Sequence, residues 1–125
     1  MTFPHINTKA TNITITPTIQ TLLEQKFNPL GKLVYDKGDT HCEVELEKTA
    51  EHQTGKIYRA EVNLYNGGKL YRVEATEEQI EQAIDAVRNE LKNELQRAQG
   101  KRQSLMKRGS HAIKNMLRFG KKESM

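Results

Sequence analysis

The spacing of hydrophobic positions changes several times along this chain. Residues 3–8, Phe-Pro-His-Ile-Asn-Thr, predict a short strand, at a sheet edge because Pro4 cannot donate to a ladder. Thr16-Pro17 has the form of a helix start, with Thr as N-cap and Pro at the first helical position. Ile19, Leu22, Leu23, Phe27 and Leu30 follow at helical spacing and make one apolar face, with Gly31 placed to end the helix. Between residues 41 and 75 the period becomes two. Cys42, Val44 and Leu46 alternate with Glu43, Glu45 and Glu47. Ala60, Val62 and Leu64 alternate with Arg59, Glu61 and Asn63, and Tyr71, Val73 and Ala75 with Leu70, Arg72 and Glu74. Each run predicts a strand with one wet face. A polar loop over 49–56 joins the first pair. Asn66-Gly67 joins the second as a tight hairpin whose central residues need positive φ.

Thr76-Glu77-Glu78-Gln79 matches a capping box, with acids where the helix dipole favours them. Ile80, Ala83, Ile84, Val87, Leu91, Leu95 and Ala98 then hold a helical stripe, with Gly100 as its expected end. The predicted fold is α+β, in the order β-α-β-β-β-α, a four-stranded sheet with two helices on one face. From Lys101 onward, basic residues interleave with Leu105, Met106, Ile113, Met116, Leu117 and Phe119. This is a basic C-terminal amphipathic arm, in which Ser110 would cap a last short helix after a break at Gly109. The expected organisation is one α/β domain over 1–100 and a basic extension over 101–125.

Charge sharpens that division. The whole chain of 125 residues carries +4. Residues 1–95 hold eleven Lys/Arg and fifteen Asp/Glu, a balance of −4, whereas residues 96–125 hold nine Lys/Arg against Glu123 alone, or +8. A basic arm on an acidic body suggests a polyanionic partner, because each neutralised phosphate releases condensed counterions. On the second helix, Arg88, Lys92 and Arg97 lie off the apolar stripe among Glu81, Asp85, Glu90 and Glu94.

The remaining chemistry is sparse. No apolar run approaches the roughly 20 residues that span a bilayer, and the N-terminus lacks the pattern of a signal peptide. A single cysteine, Cys42, excludes an internal disulfide and is too few thiols for a zinc cage. A cytoplasmic location is the simplest expectation. His5, His41, His52 and His111 fall in different elements without ligand spacing and read as surface or loop residues. Cys42 on an inward strand face reads as a small hydrophobe. Glu43, Glu45 and Glu47 read as a solvated face rather than paired catalytic carboxylates. Asn66-Gly67-Gly68 lacks the lysine and the strand-to-helix setting of a phosphate loop. Tyr58, Tyr65 and Tyr71 surround the hairpin and suit either base stacking or, more simply, cross-strand packing. Nothing points to an enzyme, a cofactor, a metal or a small-molecule substrate.

Asn12-Ile13-Thr14-Ile15-Thr16-Pro17-Thr18-Ile19, Lys26-Phe27 with Leu30, the Asn66-Gly67-Gly68 hairpin, and Ala83-Ile84-Asp85 followed by Leu91 and Leu95 together resemble the bacterial ribosome hibernation-promoting factors. These are also called ribosome-associated inhibitors or sigma-54 modulation proteins, and the likeness covers about residues 5–101. It implies the same β-α-β-β-β-α fold and a monomeric, short-type factor without the extra C-terminal domain of long members. It further implies binding to the small ribosomal subunit between head and platform, over the sites of mRNA and the tRNA anticodons. Translation would be inhibited there and idle ribosomes stabilised. The family's contacts are largely basic side chains on rRNA phosphates, and Lys26, Arg97 and Lys101 stand at matching positions. The sequence departs at Gln79-Ile80-Glu81, where Asp-Met-Tyr is common, and at Glu90 and Asn93, which are usually basic. The candidate rRNA-binding set is therefore Lys26, Arg88, Lys92, Arg97, Lys101, Arg102, Lys107, Arg108, Lys114, Arg118, Lys121 and Lys122, with the arm supplying the anchoring charge. Two other readings stand beside it. One is a general structured-RNA module of the double-stranded-RNA-binding type. The other is an interaction protein whose arm docks on a membrane or an acidic partner.

Overall fold

A computed structural model of the chain describes residues 3–35, 39–49 and 55–119, with side chains described up to residue 105. The elements are β1 (Ile6–Thr11), α1 (Pro17–Phe27), a 3-10 helix (Asn28–Leu33), β2 (Thr40–Lys48), β3 (Tyr58–Asn66), β4 (Lys69–Glu77) and α2 (Ile80–Phe119). This is the predicted β-α-β-β-β-α order. The sheet runs β1-β2-β3-β4 in space, with β1 parallel to β2 and the other pairs antiparallel. A parallel pair needs a crossover, and α1 supplies it. Thr16 caps α1 as expected, its Oγ1 accepting from the Ile19 N–H at 3.2 Å.

Register puts the alternating apolar strand positions on one face, with Tyr65 and Leu70 left on the other. Ile6, Cys42, Leu64 and Tyr71 form one row across the four strands, and Thr8, Val44, Val62 and Val73 the next. Leu23 and Phe27 of α1 and Ala83, Ile84, Val87, Leu91 and Leu95 of α2 are buried with them. Phe3 joins this core against Phe27, ring centroids 5.7 Å apart. Cys42 is fully buried, and burial, with the nearby charge of Glu43, pushes its thiol up to about 12. It is the inert small hydrophobe its position suggested.

β1 runs over Ile6–Thr11 rather than residues 3–8, which leaves Pro4 outside the strand, and four later boundaries also differ from expectation. First, α1 ends at Phe27 rather than at Gly31. Pro29 has no N–H to continue the ladder, and the chain tightens into the 3-10 helix, in which Gly31 is buried. Second, Thr76 and Glu77 close β4, and the cap moves three residues on. The Gln79 N–H donates to the Gln82 side chain at 3.2 Å, the reciprocal half of a capping box. Third, the hairpin turns on Gly67-Gly68, both at positive φ (60° and 80°), with Asn66 paired to Lys69 as the last strand residues. Asn66 is withheld from the turn because its side chain is buried elsewhere. Its Oδ1 accepts from the Tyr35 N–H at 2.8 Å, and its Nδ2 donates to the Tyr35 carbonyl at 2.7 Å and to Thr40 Oγ1 at 2.9 Å. Fourth, helical backbone runs through Gly100 and Gly109 to Phe119. Glycine weakens a helix interior by only about 1 kcal/mol, and strong helix formers flank Gly100.

The chain divides into two units, Met1–Leu95 and Gln96–Met125. The first holds the sheet, α1 and the part of α2 that carries its buried stripe. The second is helical to Phe119, with Leu105 exposed.

Candidate nucleic-acid interface

Three of the basic residues singled out in the sequence belong to the first unit, and two of them meet. Lys26 lies in the last turn of α1, and its Nζ stands 2.8 Å from Asp85 Oδ1 on α2. Arg88, one turn beyond Asp85, donates from Nε to the Lys26 backbone carbonyl at 3.3 Å and from Nη1 to Asn89 Oδ1 at 3.0 Å. A guanidinium on the final carbonyls of a helix satisfies an orphan acceptor and complements the dipole. Lys92 follows Arg88 by four residues, so it stands beside it on the same flank of α2. Lys26, Asp85 and Arg88, with Gln25, Pro29 and Asn89, line a depression of about 330 Å³ between the two helices. Its lining carries two cations against one carboxylate.

In the second unit, Arg97 and Lys101 are exposed and Arg102 is half-buried. Lys107, Arg108, Lys114 and Arg118 lie on the helical backbone of α2, their side chains outside the described residues. Lys121 and Lys122 also lie outside the described residues.

The face of the sheet turned away from the helices differs sharply. Sequence spacing read Glu43, Glu45 and Glu47 as a solvated row, and Glu43 is exposed, but Glu45 and Glu47 belong to a network centred on Arg59. The Arg59 guanidinium lies 2.6 Å from Glu74, 3.2 Å from Glu61, 3.4 Å from Glu47 and 3.9 Å from Glu45. Arg72 holds the second oxygen of Glu61 at 2.6 Å, and the Glu61 side chain is only 7% exposed. The hydrogen bond and positive charge of Arg59 hold the Glu74 carboxyl below its usual range. The signal for this cluster was present in the alternation of the strands. Only register brings the five residues together, because Glu45, Glu61 and Glu74 form one cross-strand row and Glu47 and Arg59 the next. The three tyrosines separate as well. Tyr71 is buried, Tyr58 is half-buried, and Tyr65 is 40% exposed with its ring 4.6 Å from that of His41.

Among the described residues, no group of three or more His, Cys, Asp or Glu is disposed to hold a metal ion, and no helix is long and apolar enough to cross a membrane.

Residues 6–103 match the family described as sigma 54 modulation protein / S30EA ribosomal protein. The chain belongs to this family. Two solved structures share the fold. The N-terminal domain of Protein Y from Thermus thermophilus is 26% identical, with a TM-score of 0.62 over 76% of this chain and 97% of that one. A ribosomal subunit interface protein from Coxiella burnetii is 14% identical, with a TM-score of 0.61 over 77% of this chain and 98% of that one. No curated protein matches the chain in sequence. The family match takes in every strand, α1, the buried stripe of α2 and the first residues of the arm. Lys26, Arg88, Lys92, Arg97, Lys101 and Arg102 all fall inside it.

Proposed function

We propose that this member of the family binds the small ribosomal subunit in the channel of mRNA and the tRNA anticodons, inhibiting translation and stabilising idle ribosomes in the cytoplasm. The observation that carries this reading is the family match over residues 6–103, which contains six of the twelve candidate basic residues. The geometry supports it. Lys26, Arg88 and Lys92 gather on the helical side, whereas the open face of the sheet holds its carboxylates in a network that would repel RNA. The mechanism needs binding alone. Each Lys or Arg that neutralises an rRNA phosphate releases counterions, and the bound domain excludes mRNA and tRNA by occupying their path. Because residues 1–95 sum to −4, the second unit, Gln96–Met125, at +8 supplies most of the attraction.

The test is cosedimentation of the pure full-length protein with separated ribosomal subunits at low salt, beside a cell-free translation assay. Comigration with the small subunit and a dose-dependent fall in translation are expected. A protein that stays at the top of the gradient with both subunits present would overturn the reading.

A further inference from the structure

The open face of the sheet carries more carboxylates than cations. Its rows are Asn7–Glu43–Asn63–Arg72, Lys9–Glu45–Glu61–Glu74 and Thr11–Glu47–Arg59–Thr76, followed at the hairpin end by His41–Tyr65–Leu70. Five carboxylates against Lys9, Arg59 and Arg72 leave two negative charges on the face. Tyr65 and Leu70, 40% and 44% exposed, are neighbours across β3 and β4 and are the exposed large hydrophobic residues among the described part of the first unit. Beside them, Asn7, Lys9, Glu43, Glu45, Glu61 and Asn63 border a depression of about 380 Å³.

We propose that this face docks a Lys/Arg-rich protein segment carrying an apolar side chain. The apolar group covers the Tyr65–Leu70 corner, and the cations meet Glu43 and the carboxylates around Arg59. Charge complementarity selects the occupant. The two guanidinium groups are already shared among Glu45, Glu47, Glu61 and Glu74. An incoming cation therefore meets carboxylates in excess, with little repulsion from Arg59. The apolar corner sits at the edge of that field, so one segment can use both, with a buried aromatic or aliphatic anchor inside a polar rim. A single-stranded RNA fits less well. One face of Tyr65 is already against His41, and the phosphates next to a stacked base would run over Glu43 and Glu45.

The experiment uses the full-length, isotope-labelled chain and a short synthetic peptide in which Arg and Lys flank one Phe. The same peptide with Ser for Phe and a single-stranded oligouridylate serve as comparison ligands. The peptide is expected to shift the amide resonances of His41, Glu43, Tyr65 and Leu70 first, and replacing its Phe should weaken it. Glu43→Lys and Tyr65→Ser should each weaken it by about tenfold, or 1.4 kcal/mol. Both positions are exposed, so melting temperatures should stay as in the parent, and Tyr65→Phe should restore binding. Peptide affinity unchanged by Glu43→Lys, or shifts confined to other surfaces, would overturn the proposal. Oligouridylate perturbing Tyr65 and His41 in preference to the peptide would make this an RNA surface and overturn it equally.

Discussion

The depression between α1 and α2 and the one on the open sheet face have nearly the same volume, about 330 and 380 Å³, yet opposite local charge. The first is lined by Lys26 and Arg88 against Asp85, the second by Lys9 against Glu43, Glu45 and Glu61. Both are built from ion pairs. What separates them is stoichiometry: a surplus cation remains between the helices and surplus carboxylates on the sheet. On the two proposals above, the faces suit different partners without a large net charge in either place. The basic residues between the helices also brace the end of α1. On the sheet, Arg59 gathers carboxylates that would otherwise repel one another across the strands.

The heaviest blow to this comparison is removal of the arm. Deleting residues 102–125 should weaken binding to the small subunit by about a hundredfold or more and lower the salt slope by about 0.7–0.9 per lost phosphate contact. The core lies within Met1–Leu95, so thermal melting should persist. Unchanged sedimentation and salt slope would mean that the helical depression, rather than the arm, is the anchor.

Next in size is Asn66→Ala, which attacks the scaffold under both faces. It leaves the Tyr35 N–H and carbonyl without their side-chain partner, at a cost of about 2–3 kcal/mol in denaturant unfolding.

A charge pair sharpens the comparison. Arg88→Glu reverses the sign between the helices and should reduce subunit binding about tenfold, whereas Asp85→Asn releases Lys26 and should maintain or tighten it. Equal loss in both variants would mean that the depression is structural only.

Gly67→Val places a β-branched residue at a φ of 60° and should cost on the order of 1 kcal/mol or more. The loss should appear in thermal melting with ribosome binding intact at lower temperature.

Smallest is a titration. The Glu74 carboxyl is held below the usual glutamate range by Arg59, so its share of stability is complete above that range and fades as pH falls through its lowered value. Side-chain NMR should find the Glu74 midpoint below that of a free glutamate, and Arg59→Lys, losing the forked geometry, should move it upward.

The pattern of residues 3–8, 16–30, 41–75 and 80–98 was enough for the β-α-β-β-β-α order and for much of the core, although Ile19, Leu22 and Ala98 on the expected stripes are only half-buried and the buried Leu33, Val34 and Ile57 lay outside them. The reason is local: a strand or helix buries one face, and that requirement is written at intervals of two or between three and four residues. The Thr16 cap was legible on the same grounds. The segregation of charge along the chain was legible too, since it needs only counting.

What the tertiary structure alone decided is non-local. Glu47 and Glu74 reach Arg59 only because β2, β3 and β4 adopt one register, and Lys26 meets Asp85 only because the two helices cross the same face of the sheet. The turn shifted by one residue because Asn66 found three partners at Tyr35 and Thr40, more than thirty positions away along the chain in one case and more than twenty in the other. Gly100, the expected helix end, is a local exception, inside a helix because its flanking residues outweigh the small penalty of one glycine. Residue spacing is a property of the segment, whereas the surplus charge that distinguishes the two faces is a property of the pairing, and pairing exists only once the chain has folded.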